Sequence, residues 1–215
     1  MQYHWLNKEN NDKLIVFFAG WSFDYIPFKF LDCTDNDVLA VYDYNSINDL
    51  PNFDGYKSKT LITWSMGVYV AYLLKDKFND FDRKIAVNGT VFPVDDEFGI
   101  PHRTFDLTLK FAQTGLEGKF YKNVFNNDEL FERYSRTPVE RSIENRVAEL
   151  HSLDKLIKET KVEYDSEFYD CAIVSKFDKI IPTRNQLAFW KEKAKTVECG
   201  HFPFYNYNSW DEICK

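Results

Sequence analysis

Three residues whose side chains together can activate a hydroxyl for acyl transfer occur in the order Ser65, Asp178, His201. A serine nucleophile needs a base, and the base needs an acid to orient it. Ser65 ends the apolar run Thr60-Leu-Ile-Thr-Trp64 and opens a helical pattern. A serine on such a strand-to-helix turn has its hydroxyl pushed out of the sheet, and the N–H that follows lies at the positive end of a helix. Gly67 has no Cβ to block the close approach that this turn requires. The usual pattern is G-x-S-x-G, whereas Thr63 stands at the first glycine position here. Cys171 to Pro182 supplies a strand, a short loop bearing Asp178, and a proline that opens the next helix. Glu198-Cys-Gly-His201-Phe-Pro places a histidine just past the last strand, with Gly200 allowing a tight turn. The rival acids are Asp95-Asp96-Glu97, after the strand at 84–88. The other histidines compete poorly: His4 is near the terminus, His102 at the start of the central segment, and His151 inside a long helical pattern.

The elements that must position these groups follow from periodicity. Leu14–Phe18, Val38–Tyr42 and Thr60–Trp64 are continuous apolar runs, the pattern of strands buried on both faces. Further strands are expected at Lys84–Asn88, Cys171–Val174 and around Thr196-Val197, with helices over Met66–Lys77 and Thr183–Lys193. Strands alternating with helices predict an α/β fold with a mostly parallel, doubly wound sheet. Residues 102–160 differ, because helical patterns succeed one another without a β-run. Thr137-Pro138-Val139-Glu140 combines a cap, an N1 proline and a capping-box glutamate, so it predicts a helix start. That helix would bury Ile143, Val147, Leu150 and Ile157. The reading is one domain over 1–215, with 102–160 inserted between strands as a helical lid or as a packing layer. In α/β-hydrolases the chemistry falls in the order Ser, Asp/Glu, His, with a second oxyanion donor after the first strand. The backbone N–H groups of Trp21 and Met66 are assigned that role. One such donor is worth on the order of 3 kcal/mol in the transition state.

Composition narrows the function. The net charge of −7 argues against non-specific nucleic-acid binding, and no apolar run could span a bilayer. Cys33, Cys171, Cys199 and Cys214 form no C-x-x-C pair, which predicts free thiols in a cytoplasmic protein. No metal-ligand spacing is present, and no cofactor is required by the chemistry above. Aromatic residues reach 18%, enough to line an acyl pocket as well as fill a core. Phe105, Leu109, Phe111, Phe120, Tyr121 and Phe125 suit either an acyl channel or the glue between lid and sheet.

Phe17-Phe-Ala-Gly-Trp-Ser22, Trp64-Ser-Met-Gly67, Val87-Asn-Gly-Thr-Val-Phe-Pro-Val-Asp-Asp-Glu-Phe-Gly-Ile-Pro101 and Gly200–Phe204 together resemble the BioG family of pimeloyl-[acyl-carrier protein] methyl ester esterases. The resemblance implies a serine carboxylesterase that releases methanol from pimeloyl-carrier protein methyl ester before biotin assembly. It implies Ser65 as nucleophile, His201 as base and then acid, and Asp178 as orienting acid. A general short-chain esterase, an acyl thioesterase and a carrier-binding module with a lapsed triad are the alternatives. An acidic carrier protein calls for cations near the pocket mouth. Lys119, Lys122, Arg133, Arg136, Arg141 and Arg146 are available, interleaved with Asp128, Glu129, Glu132, Glu140, Glu144 and Glu149. Arg133 and Arg136 would share a helix face; a solvated mixed-charge surface is the other reading. A monomer is expected.

Overall fold

The computed structural model describes residues 1–47 and 49–215. Seven strands form one sheet: β1 (Gln2–Asn7), β2 (Lys13–Phe18), β3 (Asp37–Tyr42), β4 (Ser58–Trp64), β5 (Arg83–Val87), β6 (Cys171–Ser175) and β7 (Ala194–Val197). Their order is β1-β3-β2-β4-β5-β6-β7, parallel throughout except that β1 runs antiparallel to β3. The apolar runs of β2 and β3 and the second half of β4 are buried on both faces, as a sheet covered on both sides requires.

The chain winds one way from β2 to β3 and the other way from β4 through β7. Connections leaving the C-terminal ends of β2 and β4 therefore diverge and open a crevice between them. The loop Gly20–Ser22 follows β2, and Ser65 follows β4, so both chemically marked segments meet at that crevice.

Helix α1 (Met66–Leu73) is buried along nearly its whole surface, and a 3₁₀ turn at Lys75–Phe78 replaces the end of the longer helix its sequence suggests. Between β5 and β6 lie α2 (His102–Gly115), a π-helical turn (Leu116–Phe120), α3 (Tyr121–Phe125), α4 (Asp128–Ser135) and α5 (Ile143–Glu159). Then come α6 (Thr183–Trp190) and α7 (Trp210–Ile213). This is an α/β-hydrolase sheet with a helical insertion that matches a lid.

Three expectations are corrected. The segment around His4, where no strand was expected, forms edge strand β1, and the His4 ring stacks on Tyr25 at 3.6 Å. Its sequence, Gln-Tyr-His-Trp-Leu-Asn, carries no apolar run or clear alternation to mark a strand. Helix α5 starts at Ile143, capped by Ser142, whose Oγ accepts the Asn145 N–H at 3.2 Å, and not at Thr137-Pro138. The Glu140 N–H is taken by Asp24 Oδ2 at 2.7 Å, and Arg141 reaches into the body, so residues 137–142 run non-helically. The buried face is also rotated from the expected one. Arg146, Glu149, Leu150 and Leu153 are buried, while Ile143, Val147 and Ile157 are half-buried.

Candidate active site

Ser65 occupies a strained turn, with φ 56° and ψ −125°, between β4 and α1. This is the left-handed side of backbone space, which non-glycine residues enter at a cost, and it aims the side chain away from the helix it caps. Two glycines make the turn possible. A Cβ on Gly67 would lie 2.5 Å from the Phe18 carbonyl oxygen, and one on Gly89 would lie 2.5 Å from the Ser65 carbonyl oxygen. Thr63 is accommodated because its β-branch points into the sheet body. Its Oγ1 donates to the Tyr169 hydroxyl (3.1 Å), which donates in turn to the Val68 carbonyl (2.9 Å), tying β4 to α1.

Ser65 Oγ lies 2.8 Å from His201 Nε2, and His201 Nδ1 lies 2.8 Å from Asp178 Oδ2. All three side chains are buried. Asp178 is held by its own loop: the N–H groups of Ile180 (2.8 Å) and Ile181 (2.9 Å) donate to Oδ1. The Gln186 amide, one helical turn into α6, donates to Oδ2 at 2.8 Å. The His201 backbone is clamped from the sheet, since its carbonyl accepts both Trp64 Nε1 (2.8 Å) and Asn88 Nδ2 (2.9 Å). Asn88 has φ 43° and also joins Ser175 through its side chain, so it links the ends of β5 and β6 beneath the histidine.

The rival acids face other partners. Asp95 accepts the N–H groups of Glu97 and Phe98, and Asp96 accepts the N–H of exposed His102. His151 is exposed on α5.

Across the crevice, Gly20 and Phe23 close a tight turn through the Phe23 N–H and the Gly20 carbonyl (3.2 Å). Trp21 and Met66 both line the cavity, and among the described residues their backbone N–H groups have no hydrogen-bond partner in the protein. Hydrogen-bond donors fixed at a helix N-terminus and a tight turn can hold a developing oxyanion.

The cavity above Ser65 has a volume of about 360 Å³. Phe105, Phe111 and Phe120 line it, together with Leu107, Ala112 and Leu116 of the insertion. Phe125, Leu109 and Tyr121 do not. Phe125 packs on Tyr134 and Phe202 (ring centroids 4.7 and 5.1 Å), as an aromatic joint between insertion and sheet. The insertion thus both walls the cavity and packs on the sheet.

The six expected cations divide sharply. Arg133 and Arg136 are exposed, with Arg133 stacked over Tyr205 at 4.0 Å. Arg141 and Arg146 are corrections, since both are buried in ion pairs. Arg141 Nη1 donates to Glu149 Oε2 at 2.8 Å, and Arg146 pairs with Glu117 and donates to the Tyr121 hydroxyl at 2.9 Å. A guanidinium whose charge is neutralised inside the fold has none to offer a partner. Lys119 is on the cavity wall, and Lys179, next to Asp178, joins it there without having been singled out by the sequence.

Sequence reasoning also missed Gln186, Asn88 and Glu149. Asn88-Gly89 at the end of a buried strand was a signal for a backbone turn with positive φ. Among the described residues no group of His, Cys, Asp and Glu side chains is arranged to hold a metal ion, and no helix is long and apolar enough to cross a membrane.

A protein-family model described as BioG, pimeloyl-ACP methyl esterase, matches residues 1–213. A crystal structure of BioG from Haemophilus influenzae superposes with a TM-score of 0.90 at 29% identity, covering all of both chains. An uncharacterised protein of Haemophilus influenzae is 32% identical over 205 residues, 94% of each chain. A malonyl-[acyl-carrier protein] O-methyltransferase of Bacteroides fragilis is 29% identical over 186 residues, which are 86% of this chain but only 38% of that one. With a match over nearly its whole length and an esterase-like site at the sheet's crevice, the chain belongs to the BioG family of pimeloyl-ACP methyl esterases.

Proposed function

We propose that Ser65, His201 and Asp178 carry out the family's reaction, hydrolysis of the methyl ester of pimeloyl-[acyl-carrier protein] in biotin precursor synthesis. The observation that carries this reading is the continuous line from Asp178 Oδ2 through His201 to Ser65 Oγ, with 2.8 Å at each step, opening onto an apolar cavity. Ser65 Oγ attacks the ester carbonyl as His201 Nε2 takes its proton, and Asp178 stabilises the imidazolium. The tetrahedral oxyanion faces the Trp21 and Met66 N–H groups. Collapse expels methanol, protonated by His201, and leaves the acyl chain on Ser65. Water, deprotonated by His201, then releases the carboxylate and restores the serine.

The carrier protein is acidic, so exposed Arg133 and Arg136, with Lys119 and Lys179 on the cavity wall, are the cations assigned to it. The four free cysteines suit a reducing cytoplasm. The test is incubation with pimeloyl-carrier protein methyl ester, read by intact mass. The expected product has lost its methyl group and kept its thioester. Loss of the whole acyl chain would make the protein a thioesterase, and no labelling of Ser65 by a fluorophosphonate would remove the catalytic reading altogether.

A further inference from the structure

The turn that carries the Trp21 N–H is built in a conformation its sequence does not favour. Ser22 has φ 72°, while Trp21 has no positive φ. With the Phe23 N–H bonded to the Gly20 carbonyl, this is the pattern of a type II turn, whose third position normally requires glycine. Types I and II differ by a flip of the central peptide, here the one joining Trp21 to Ser22. A serine in the left-handed region pushes toward the flipped alternative. Something must hold the Ser22 N–H where it is.

That group is Glu149. Its side chain is fully buried, and its Oε2 accepts the Ser22 N–H at 3.1 Å. The same oxygen accepts Arg141 Nη1 at 2.8 Å, while Oε1 accepts the Tyr44 N–H at 2.8 Å. Arg141 Nη1 also donates to the Phe23 carbonyl (3.0 Å), so the carboxylate and its counter-ion grip both sides of Ser22. The remaining polar contacts of the turn come from the same quarter. Trp21 Nε1 donates to the Arg146 carbonyl at 2.7 Å, and Ser22 Oγ meets the Tyr121 hydroxyl at 3.1 Å. Glu149 is the one group among these that bonds to the peptide whose orientation distinguishes the two turns.

We propose that Glu149 is a positioning residue for the oxyanion hole: by accepting the Ser22 N–H it holds the Gly20–Phe23 turn in its type II form, and with the turn the place of the preceding Gly20–Trp21 peptide, whose N–H faces the oxyanion. The inference rests on the assignment of that N–H to the oxyanion. Glu149 touches neither Ser65 nor His201 and does not line the cavity, so its effect is confined to the geometry of the turn. An oxyanion donor acts in the transition state, so its loss lowers kcat and leaves KM in place.

Two variants of the full chain separate positioning from charge balance. Glu149→Asp keeps the anion for Arg141 but withdraws it by one methylene, whereas Glu149→Gln keeps the reach and loses the charge. The double change Arg141→Met with Glu149→Met removes the buried charge pair and the acceptor together, and serves if the single variants do not fold. The substrate is the carrier-bound methyl ester. The inhibitor is an alkyl trifluoromethyl ketone, whose carbonyl adds Ser65 Oγ to give a hemiketal oxyanion in the same hole.

Glu149→Asp is expected to lower kcat about 10- to 100-fold, within the loss typical of one oxyanion donor, with KM within about two-fold. The ketone should weaken by the same factor. A cooperatively melting Asp or double variant with wild-type kcat overturns the proposal, as does a kcat loss without a matching loss of ketone affinity. Recovery of activity in Asp but not in Gln would also overturn it, making Glu149 only a counter-ion for Arg141. None of these outcomes bears on the nucleophile: the earlier reading fails separately, if the wild type does not turn over the ester or Ser65→Ala does.

Discussion

The two halves of the site are supported in opposite ways. On the triad side, His201 and Asp178 are held by neutral donors from the sheet and from their own loop: Trp64, Asn88, Ile180, Ile181 and Gln186. On the oxyanion side, the Trp21–Ser22 turn is held by the helical insertion, through Tyr121, Arg141, Arg146 and Glu149, three of them charged and buried. The triad half is therefore a property of the α/β sheet. The Trp21 side of the oxyanion half is braced by the insertion, while Met66 stands at the start of α1 on the sheet. The elements that wall the cavity continue into those that brace the Trp21–Ser22 turn.

The change with the largest effect strikes the point where the halves meet. Ser65→Ala is expected to lower kcat by at least about 10³-fold, since members of a triad act as a unit. Its thermal midpoint should stay near the wild-type value, because among the described residues the Ser65 hydroxyl bonds only to His201. Turnover of the methyl ester by mass, beside a melting curve, checks both. A variant within ten-fold of wild type would show that the oxyanion half works on another nucleophile.

Next comes the counter-ion of the oxyanion half. Arg141→Met leaves the Glu149 carboxyl fully buried with, among the described residues, two backbone N–H groups as its remaining hydrogen-bond partners. Burial already pushes the Glu149 carboxyl up in the intact protein, against the pull of Arg141. Breaking a buried pair from one side costs about 3–5 kcal/mol. The second Arg141 amino group lies 3.2 Å from Asp43 Oδ1, close enough for attraction but off the line of a hydrogen bond, so Asp43 loses a neighbour too. Urea unfolding measures the loss. A variant as stable as wild type would mean that the two halves do not differ in their reliance on buried charge.

This contrast also explains what the sequence disclosed. β2, β3 and β4 announced themselves as unbroken apolar runs; Ser65 and Asp178 each follow an apolar run and His201 follows the short strand β7, so local pattern located them. Edge strand β1 was hidden because its partner lies some 35 residues away and none of its residues is fully buried. Arg141 and Glu149 read as ordinary members of a mixed-charge helix, and only the tertiary fold turns them inward. Nothing local distinguishes Glu149 from Glu144, five residues earlier and exposed. Groups that act through the backbone of a distant turn leave no spacing to read.

The triad half offers a smaller perturbation. Gln186→Met keeps volume but removes the amide that donates to Asp178 Oδ2 at 2.8 Å and to the Ile181 carbonyl at 2.9 Å. Asp178 retains two backbone donors and His201, so the loss should match one charge-assisted hydrogen bond, about 1.5 kcal/mol. That corresponds to roughly ten-fold in kcat, with KM unchanged. Steady-state kinetics decides it. A loss rivalling Ser65→Ala would mean that the acid depends on α6 as heavily as the oxyanion turn depends on the insertion.

The smallest effect is expected at Thr63, where the nucleophile motif departs from its usual glycine. If that position mattered for the turn, a β-branched residue there would strain Ser65. Instead Thr63 sits in register between Phe18 and Ala86, and its hydroxyl feeds a chain through Tyr169 to the Val68 carbonyl. The close approach the turn needs is supplied by Gly67 and Gly89. Thr63→Val keeps the shape and deletes the hydroxyl, so stability should fall by about 1 kcal/mol. kcat should stay within about two-fold, because Tyr169 still donates to α1 and the Ser65 backbone is untouched. Denaturation and turnover measured on one preparation separate the two. A kcat loss of ten-fold or more would transfer Thr63 from the sheet's packing to the nucleophile's support, and the triad half would then rest on a side chain buried behind the strand as well as on the clamp around His201.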